Sequence, residues 1–167
     1  MATQANDLFI TGLVNAHAME RQALSIMRPQ VERLEEYPEM VALLRRHIIE
    51  TETQAERLET VLTELGESPS GLKDTMLSMG GAMAAMGHTM ADDEVIKNAL
   101  ANYAFEHFEI AAYTSLLVMA RSASARHMDV LEQNLSEERW IAEAMELGLP
   151  AITLRYVQLH TETARGL

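Results

Sequence analysis

Apolar residues recur along this chain at intervals of three and four, the spacing that lays a single stripe along an α-helix. The first run, Phe9, Leu13, Ala16, Ala23, Leu24, Met27, Val31 and Leu34, predicts a helix over 6–36. Pro29 falls inside it and is expected to kink or briefly break the helix, because proline brings no amide donor to the ladder. The chain should turn at Glu36-Tyr37-Pro38, with Pro38 well placed in the first turn of a second helix. That helix, over 38–66, carries Val41, Leu44, Ile48, Leu58, Val61, Leu62 and Leu65 and stops at Gly66, a residue suited to a helix end. A third helix over 92–121 presents Val95, Leu100, Tyr103, Ile110, Tyr113, Leu117 and Ala120. After Ser122-Ala123-Ser124 a fourth runs over 124–148, and Pro150 opens a short C-terminal helix over 150–163.

Short turns after the first and third helices make each pair antiparallel, and the long connection over 67–91 lets the second and third run parallel. Two hairpins joined by one crossover describe an all-α fold, the ferritin-like antiparallel four-helix bundle, as a single domain over 1–167. Within the crossover Met76, Met79, Met83, Met86 and Met90 recur at helical spacing, which predicts a short helix there. Thioethers suit soft metals. The stronger reading of this stripe is a pliable apolar face laid over the bundle or into a partner subunit.

Interruptions of the apolar stripes carry the chemistry. Glu20 continues the line of Leu13, Ala16, Leu24 and Met27; Glu50 lies between His47 and Gln54; Glu106 lies between Tyr103, Ile110 and Tyr113. In the fourth helix Leu131, Leu135, Ala142 and Met145 would turn Glu138 inward, whereas Val130, Asn134 and Ile141 would select Glu137, and the choice stays open. Counted from the turns, Glu20 and Glu50 differ in depth by about 6 Å at ~1.5 Å rise per residue, and Glu106 and Glu137 repeat the same arithmetic. Both pairs fall near mid-bundle. An ionised carboxylate is too costly to bury alone, and the common compensator for several at one level is a pair of metal ions. The competing reading is a salt-bridged cluster using Arg21, Arg45, Arg46, Arg57 and Arg139, a costly way to build a core.

Di-iron and di-manganese bundles typically take a Glu from each of two helices and Glu-x-x-His from each of the others. Here Thr53 and Trp140 stand where those histidines would be, with Gln54 beside the first. His17-x-x-Glu20 and His47-x-x-Glu50 invert the order, and His107 adjoins Glu106. Each histidine is open to three roles: ligand, partner orienting a carboxylate, or hydrogen-bonded core residue. Glu109 puts a second carboxylate on the third helix, where it could replace a missing imidazole.

A net charge of −12 argues against nucleic acid and against an anionic membrane surface as partner. The chain has no cysteine, which excludes disulfides, thiolate zinc sites and iron–sulfur clusters. No apolar stretch approaches the roughly 20 residues of a membrane span, and no charged segment precedes an apolar run as in a secretory signal. A cytoplasmic chain is expected.

Ala18-Met19-Glu20-Arg21-Gln22, His47-x-x-Glu50-Thr51-Glu52-x-Gln54-x-Glu56-Arg57-Leu58, Glu106-His107-Phe108-Glu109-Ile110-Ala111-Ala112-Tyr113 and Leu135-x-Glu137-Glu138 resemble the YciE/YciF stress-protein family of the ferritin-like superfamily. The resemblance covers nearly the full chain. It implies a rubrerythrin-related bundle, commonly a homodimer, with a two-metal site and an association with bacterial stress responses. Carried over by position, the ligands would be Glu20, Glu50, Glu106, Glu109 and Glu137. From the residues themselves, His17, His47, Gln54, His107, Tyr113 and Glu138 are candidates for further ligands or their supports. The expected activity is a di-metal carboxylate protein, iron before manganese, reacting with dioxygen or peroxide. Without cysteines it would need an external electron donor. The alternative is a non-catalytic dimeric stress protein whose metal is structural or vestigial; iron storage in a cage ranks third.

Overall fold

The computed structural model describes residues 2–67 and 93–165. The short helix expected in the crossover, with Met76, Met79, Met83, Met86 and Met90, lies outside the described residues. Among the described residues there are four helices: α1 (Ala2–Arg33), α2 (Pro38–Glu64), α3 (Glu94–Ser122) and α4 (Met128–Arg165). No strand occurs among the described residues.

Side-chain pairs between helices fix their directions. On α1 and α2, His17 meets Glu59 and Arg28 meets Glu52, so position rises on one as it falls on the other. On α1 and α3 the matches are Arg33 with Glu94, Gln30 with Asn102 and Glu20 with Tyr113, again antiparallel. On α2 and α4, Arg57 meets Asn134 and Gln54 meets Glu137. With both α2 and α3 opposed to α1, those two run parallel across the bundle, as the crossover requires.

The core is the expected stripe set. Phe9, Leu13, Ala16, Ala23, Leu24 and Met27 of α1 bury against Leu44, Leu58, Val61 and Leu62 of α2, Val95, Tyr113, Leu117 and Ala120 of α3, and Leu131, Leu135, Ile141 and Met145 of α4. One phase was misread: Leu100 is exposed, and the inward face of α3 runs through Ala99, Asn102, Phe105 and Leu116 instead. The buried amides of Gln30 and Asn102 exchange hydrogen bonds of 3.2 and 2.8 Å, which satisfies both inside the core.

Helix ends follow local chemistry. Pro38 opens α2. Gly66, at φ +84°, closes it: its amide bonds the Thr63 carbonyl at 3.0 Å and the Glu67 amide bonds that of Leu62 at 2.9 Å, a Schellman termination. Ser124 makes the same termination of α3 at φ +54°, with Ala125 N–H to the Ala120 carbonyl at 2.9 Å.

Both interior prolines are absorbed. α1 continues unbroken through Pro29. The separate C-terminal helix expected over 150–163 does not form; α4 runs on through Gly148 and Pro150 to Arg165. Leu149, Ile152, Tyr156 and Leu159 continue its apolar stripe at spacings of three and four and pack on the core. Pro150 deprives the carbonyl four residues back, at Glu146, of its donor, but both residues are exposed, where water can take over. Packing on both sides of the proline outweighs the one lost bond.

Candidate metal centre

All four helices deliver polar side chains to one region of the core. α1 supplies Glu20; α2 supplies His47, Thr51 and Gln54, spaced four and three apart on one face; α3 supplies Glu106, Glu109 and Tyr113; α4 supplies Asn134 and Glu138, four apart. Every one is buried. Among them His47, Glu106, Glu109 and Glu138 each offer one ligand atom, and these four atoms lie within 4.8 Å of one another. Donors held at about 2.0–2.2 Å from one ion stand roughly 3–4.4 Å apart, so the quartet is one small contraction away from a coordination shell. A buried His/Glu group able to hold metal is thus present.

The polar atoms themselves test whether a cation fits. Among the described residues, eleven buried side-chain oxygens and nitrogens have no hydrogen-bond partner, and they belong to only eight residues: Glu20, His47, Glu50, Thr51, Gln54, Glu106, Glu109 and Glu138. His47 Nε2 and Glu106 Oε2 are 3.1 Å apart, yet they are not aligned as donor and acceptor. Each orphaned polar atom in a dry core costs about 1–3 kcal/mol, and native cores rarely tolerate several together. Without a cation, a carboxyl here pairs with its neighbour only by keeping a proton, as Glu109 does with Glu138 and Glu138 with Glu106. A metal centre leaves their lone pairs free.

Electrostatics agree. Burial drives the Glu20 carboxyl up to about 8; the Tyr113 hydrogen bond opposes that shift, and the charges of Glu106 and Glu137 add to it. Glu109 is pushed well above the ordinary carboxylate range, first by burial and then by the charges of Glu138, Glu20 and Glu106. Glu138 rises for the same reasons, again burial first, with Gln54 opposing. Carboxyls that resist ionisation because they are buried, and further because of one another, are what a dication would relieve.

Arginine ion pairs take only the periphery of the site. Arg57 Nη1 pairs with Glu137 Oε2 at 2.7 Å and Arg46 Nε with Glu50 Oε1 at 2.9 Å. Arg21, Arg45 and Arg139 are exposed, and among the described residues Glu20, Glu109 and Glu138 have no lysine or arginine within ion-pair distance.

The two candidates on α4 separate cleanly. Glu138 is fully buried in the quartet, whereas Glu137, expected among the ligands, is partly exposed and bonded to Arg57, to Gln54 at 3.2 Å and to Gln133 at 3.0 Å. The helix phase set by Leu131, Leu135, Ala142 and Met145 prevails at that point. Of the histidines, His47 joins the carboxylates. His17 turns to α2, its Nε2 2.7 Å from Glu59 Oε1. His107 is exposed and packs edge-on against Tyr103, with ring centroids 4.6 Å apart. Gln54 lies in the site. Glu50 straddles its edge, one oxygen on Arg46 and the other buried without a partner.

A hydrogen-bonded chain supports Glu20. Arg57 donates to Asn134 Oδ1 at 2.9 Å, Asn134 Nδ2 donates to the Tyr113 hydroxyl at 2.9 Å, and that hydroxyl donates to Glu20 Oε1. Burial first, and then the Glu20 charge, hold the Tyr113 phenol well above its usual value, so it stays a donor. Asn134 and Thr51 were missed as site residues. Their signal was present, since Asn134 lies one turn before Glu138 and Thr51 one turn after His47, polar residues in phase with an apolar stripe.

Comparison with known proteins gives the chain a context. It matches the family described as Domain of unknown function (DUF892) over residues 4–158. A protein of Xanthomonas campestris pv. campestris shares its structure at TM-score 0.78 with 29% identity, over 95% of this chain and 99% of that one. YcfI of Rhodopseudomonas palustris is similar at TM-score 0.66 and 24% identity, over 85% of this chain and 92% of its own. The Escherichia coli stress protein YciF is similar at TM-score 0.65 and 19% identity, over 92% and 97% respectively. At those identities the last two speak for the fold.

Proposed function

The chain belongs to the DUF892 family, the YciE/YciF group with a ferritin-like fold, and we propose that this member is a two-metal carboxylate protein, with iron preferred to manganese. The observation that carries this reading is the confinement of the orphaned buried polar atoms of the described residues to eight side chains around one His/Glu quartet. His47, Glu106, Glu109 and Glu138 would hold one ion, and Glu20 and Glu50 would help to hold a second. Five carboxylates and one imidazole are hard donors, which suit iron or manganese better than softer metals.

When bound, such a pair supplies Lewis acidity and redox chemistry toward dioxygen or peroxide. The protein's own residues do the positioning. Tyr113 holds one Glu20 oxygen through its hydroxyl proton, which leaves the other oxygen free to ligate. Leu24, Leu58 and Leu131, all nearly fully buried on three different helices, are part of the core that keeps bulk water from the carboxylates. With no cysteine in the chain, an external electron donor would close any redox cycle.

A second reading has its own support. Only His47 among the candidate histidines enters the quartet, fewer imidazoles than redox-active bundles typically carry. In that case the metal is structural, within a homodimeric stress protein. Metal analysis after anaerobic loading with Fe(II) tests both. Two equivalents per chain, lost together in Glu109→Ala and Glu138→Ala, support the site; a chain that stays metal-free with unchanged thermal stability sinks it. Oxidation of the bound Fe(II) by dioxygen or peroxide faster than in buffer selects the catalytic reading. Inert Fe(II) selects the structural one.

A further inference from the structure

Glu50 is built differently from the other carboxylates around the quartet. It sits on α2 one turn after His47, at the boundary between core and solvent. Its Oε1 accepts from Arg46 Nε at 2.9 Å on the outside of the helix. Its Oε2 is buried and has no hydrogen-bond partner among the described residues. The Arg46 guanidinium lies 3.6 Å from the centre of the Trp140 ring, across the seam between α2 and α4. Trp140 is the chain's single tryptophan. Nothing in the two-metal reading requires either Arg46 or Trp140.

The geometry points to Glu50 as a two-position carboxylate latch at the mouth of the metal centre, with Arg46 as its outer catch and Trp140 as the platform that keeps Arg46 in place when Glu50 swings inward. This inference rests on the two-metal reading and adds the route by which the site is filled. Three features favour a latch over a fixed ligand or a plain surface ion pair. An ion pair four residues apart on an exposed helix face is among the weakest electrostatic contacts in a protein, so it yields easily to a stronger partner. A buried carboxylate oxygen without a partner is unfavourable where it stands, so the observed arrangement is held by Arg46 and not by the core. A guanidinium released from its carboxylate would ordinarily be free to wander, but an aromatic face retains it. With Glu50 turned out, a hydrated dication meets a neutralised pair at the surface; with Glu50 turned in, both its oxygens are available inside.

Zn(II) is a suitable probe, since it neither changes oxidation state nor has unpaired electrons to quench fluorescence. Titrating full-length protein with Zn(II), while following Trp140 emission and bound zinc together, should give an emission change that saturates with the tightest site. In Arg46→Ala the Zn(II) affinity should rise about two- to threefold, because no ion pair must be broken, and the emission change should vanish. In Glu50→Gln the affinity should fall by at least about tenfold, and the emission should again stay flat. Zinc that binds stoichiometrically to the wild type without altering Trp140 emission, or that alters it equally in Glu50→Gln, overturns the latch and leaves the metal centre standing. If neither wild type nor variants bind zinc at the quartet, the two-metal reading and the latch fall together.

Discussion

At the residue scale, the buried carboxyls set the behaviour of the metal-free protein. Glu20, driven up to about 8 in the folded chain from an ordinary 4.5, holds its proton more tightly folded than unfolded. Linkage then runs opposite to the usual acid case. The contribution of this group is fully present below about pH 4.5 and is lost as pH rises through about 8, by on the order of 5 kcal/mol. Glu109 and Glu138 push the same way. Urea melts of metal-free protein should therefore show stability falling between pH 5 and pH 8, with a shallower slope in Glu20→Gln; an unchanged slope in that variant contradicts the assignment. Tyr113→Phe leaves Glu20 Oε1 and the Asn134 amide unpaired in the core, and it should cost about 2–3 kcal/mol in the same melts. This scale was the hardest to read from sequence. That glutamates interrupt the stripes at matching depth was visible, but the choice of Glu138 over Glu137 turned on about 100° of helix phase, which either set of neighbours satisfied. That His17 would face Glu59 depended on which helix lay across from it.

At the scale of the element, boundaries were legible where a residue has a conformational preference and misread where packing overrides one. Pro38 and Gly66 marked an end each because their backbones suit those positions. Pro150 marked nothing, because apolar residues on both sides of it kept the helix docked. Ser124 performs a glycine's task at positive φ. Ser124→Gly should therefore stabilise the protein by about 0.5–1 kcal/mol by removing a strained side-chain position, whereas Gly66→Ala should destabilise it by about 1 kcal/mol. Thermal denaturation of the two variants side by side checks the pair, and a destabilised Ser124→Gly would refute the account of that termination.

Considered whole, the molecule is an acidic bundle that buries a group of carboxyls in its interior. Its formal net charge of −12 counts every carboxyl as ionised, and the quartet and its neighbours include several that burial keeps protonated until a cation displaces the proton. Loading to about a hundredfold above the dissociation constant adds about 2.7 kcal/mol of stability, or roughly 5–11 °C in Tm for a chain of this size. Calorimetry with Mn(II) should show that rise, and Glu138→Gln should abolish most of it. Among the described residues no helix is long and apolar enough to cross a membrane. The bundle topology was legible at this scale because two short turns and one long connection leave few arrangements open.

The hydrogen-bonded chain from Arg57 through Asn134 and Tyr113 to Glu20 takes one residue from each helix in turn: α2, α4, α3 and α1. Leucine-rich stripes are forgiving, and an amphipathic helix slid by one turn, about 5.4 Å, still buries apolar surface. The chain does not forgive such a slip. A displaced helix would break a buried link, or in the case of α2 the part-buried link from Arg57 to Asn134, so these four residues act as a vernier that reads the alignment of every helix against the others. A bundle assembled out of register would therefore be penalised even before any metal reaches it, and the site would exist only in chains that had already folded correctly.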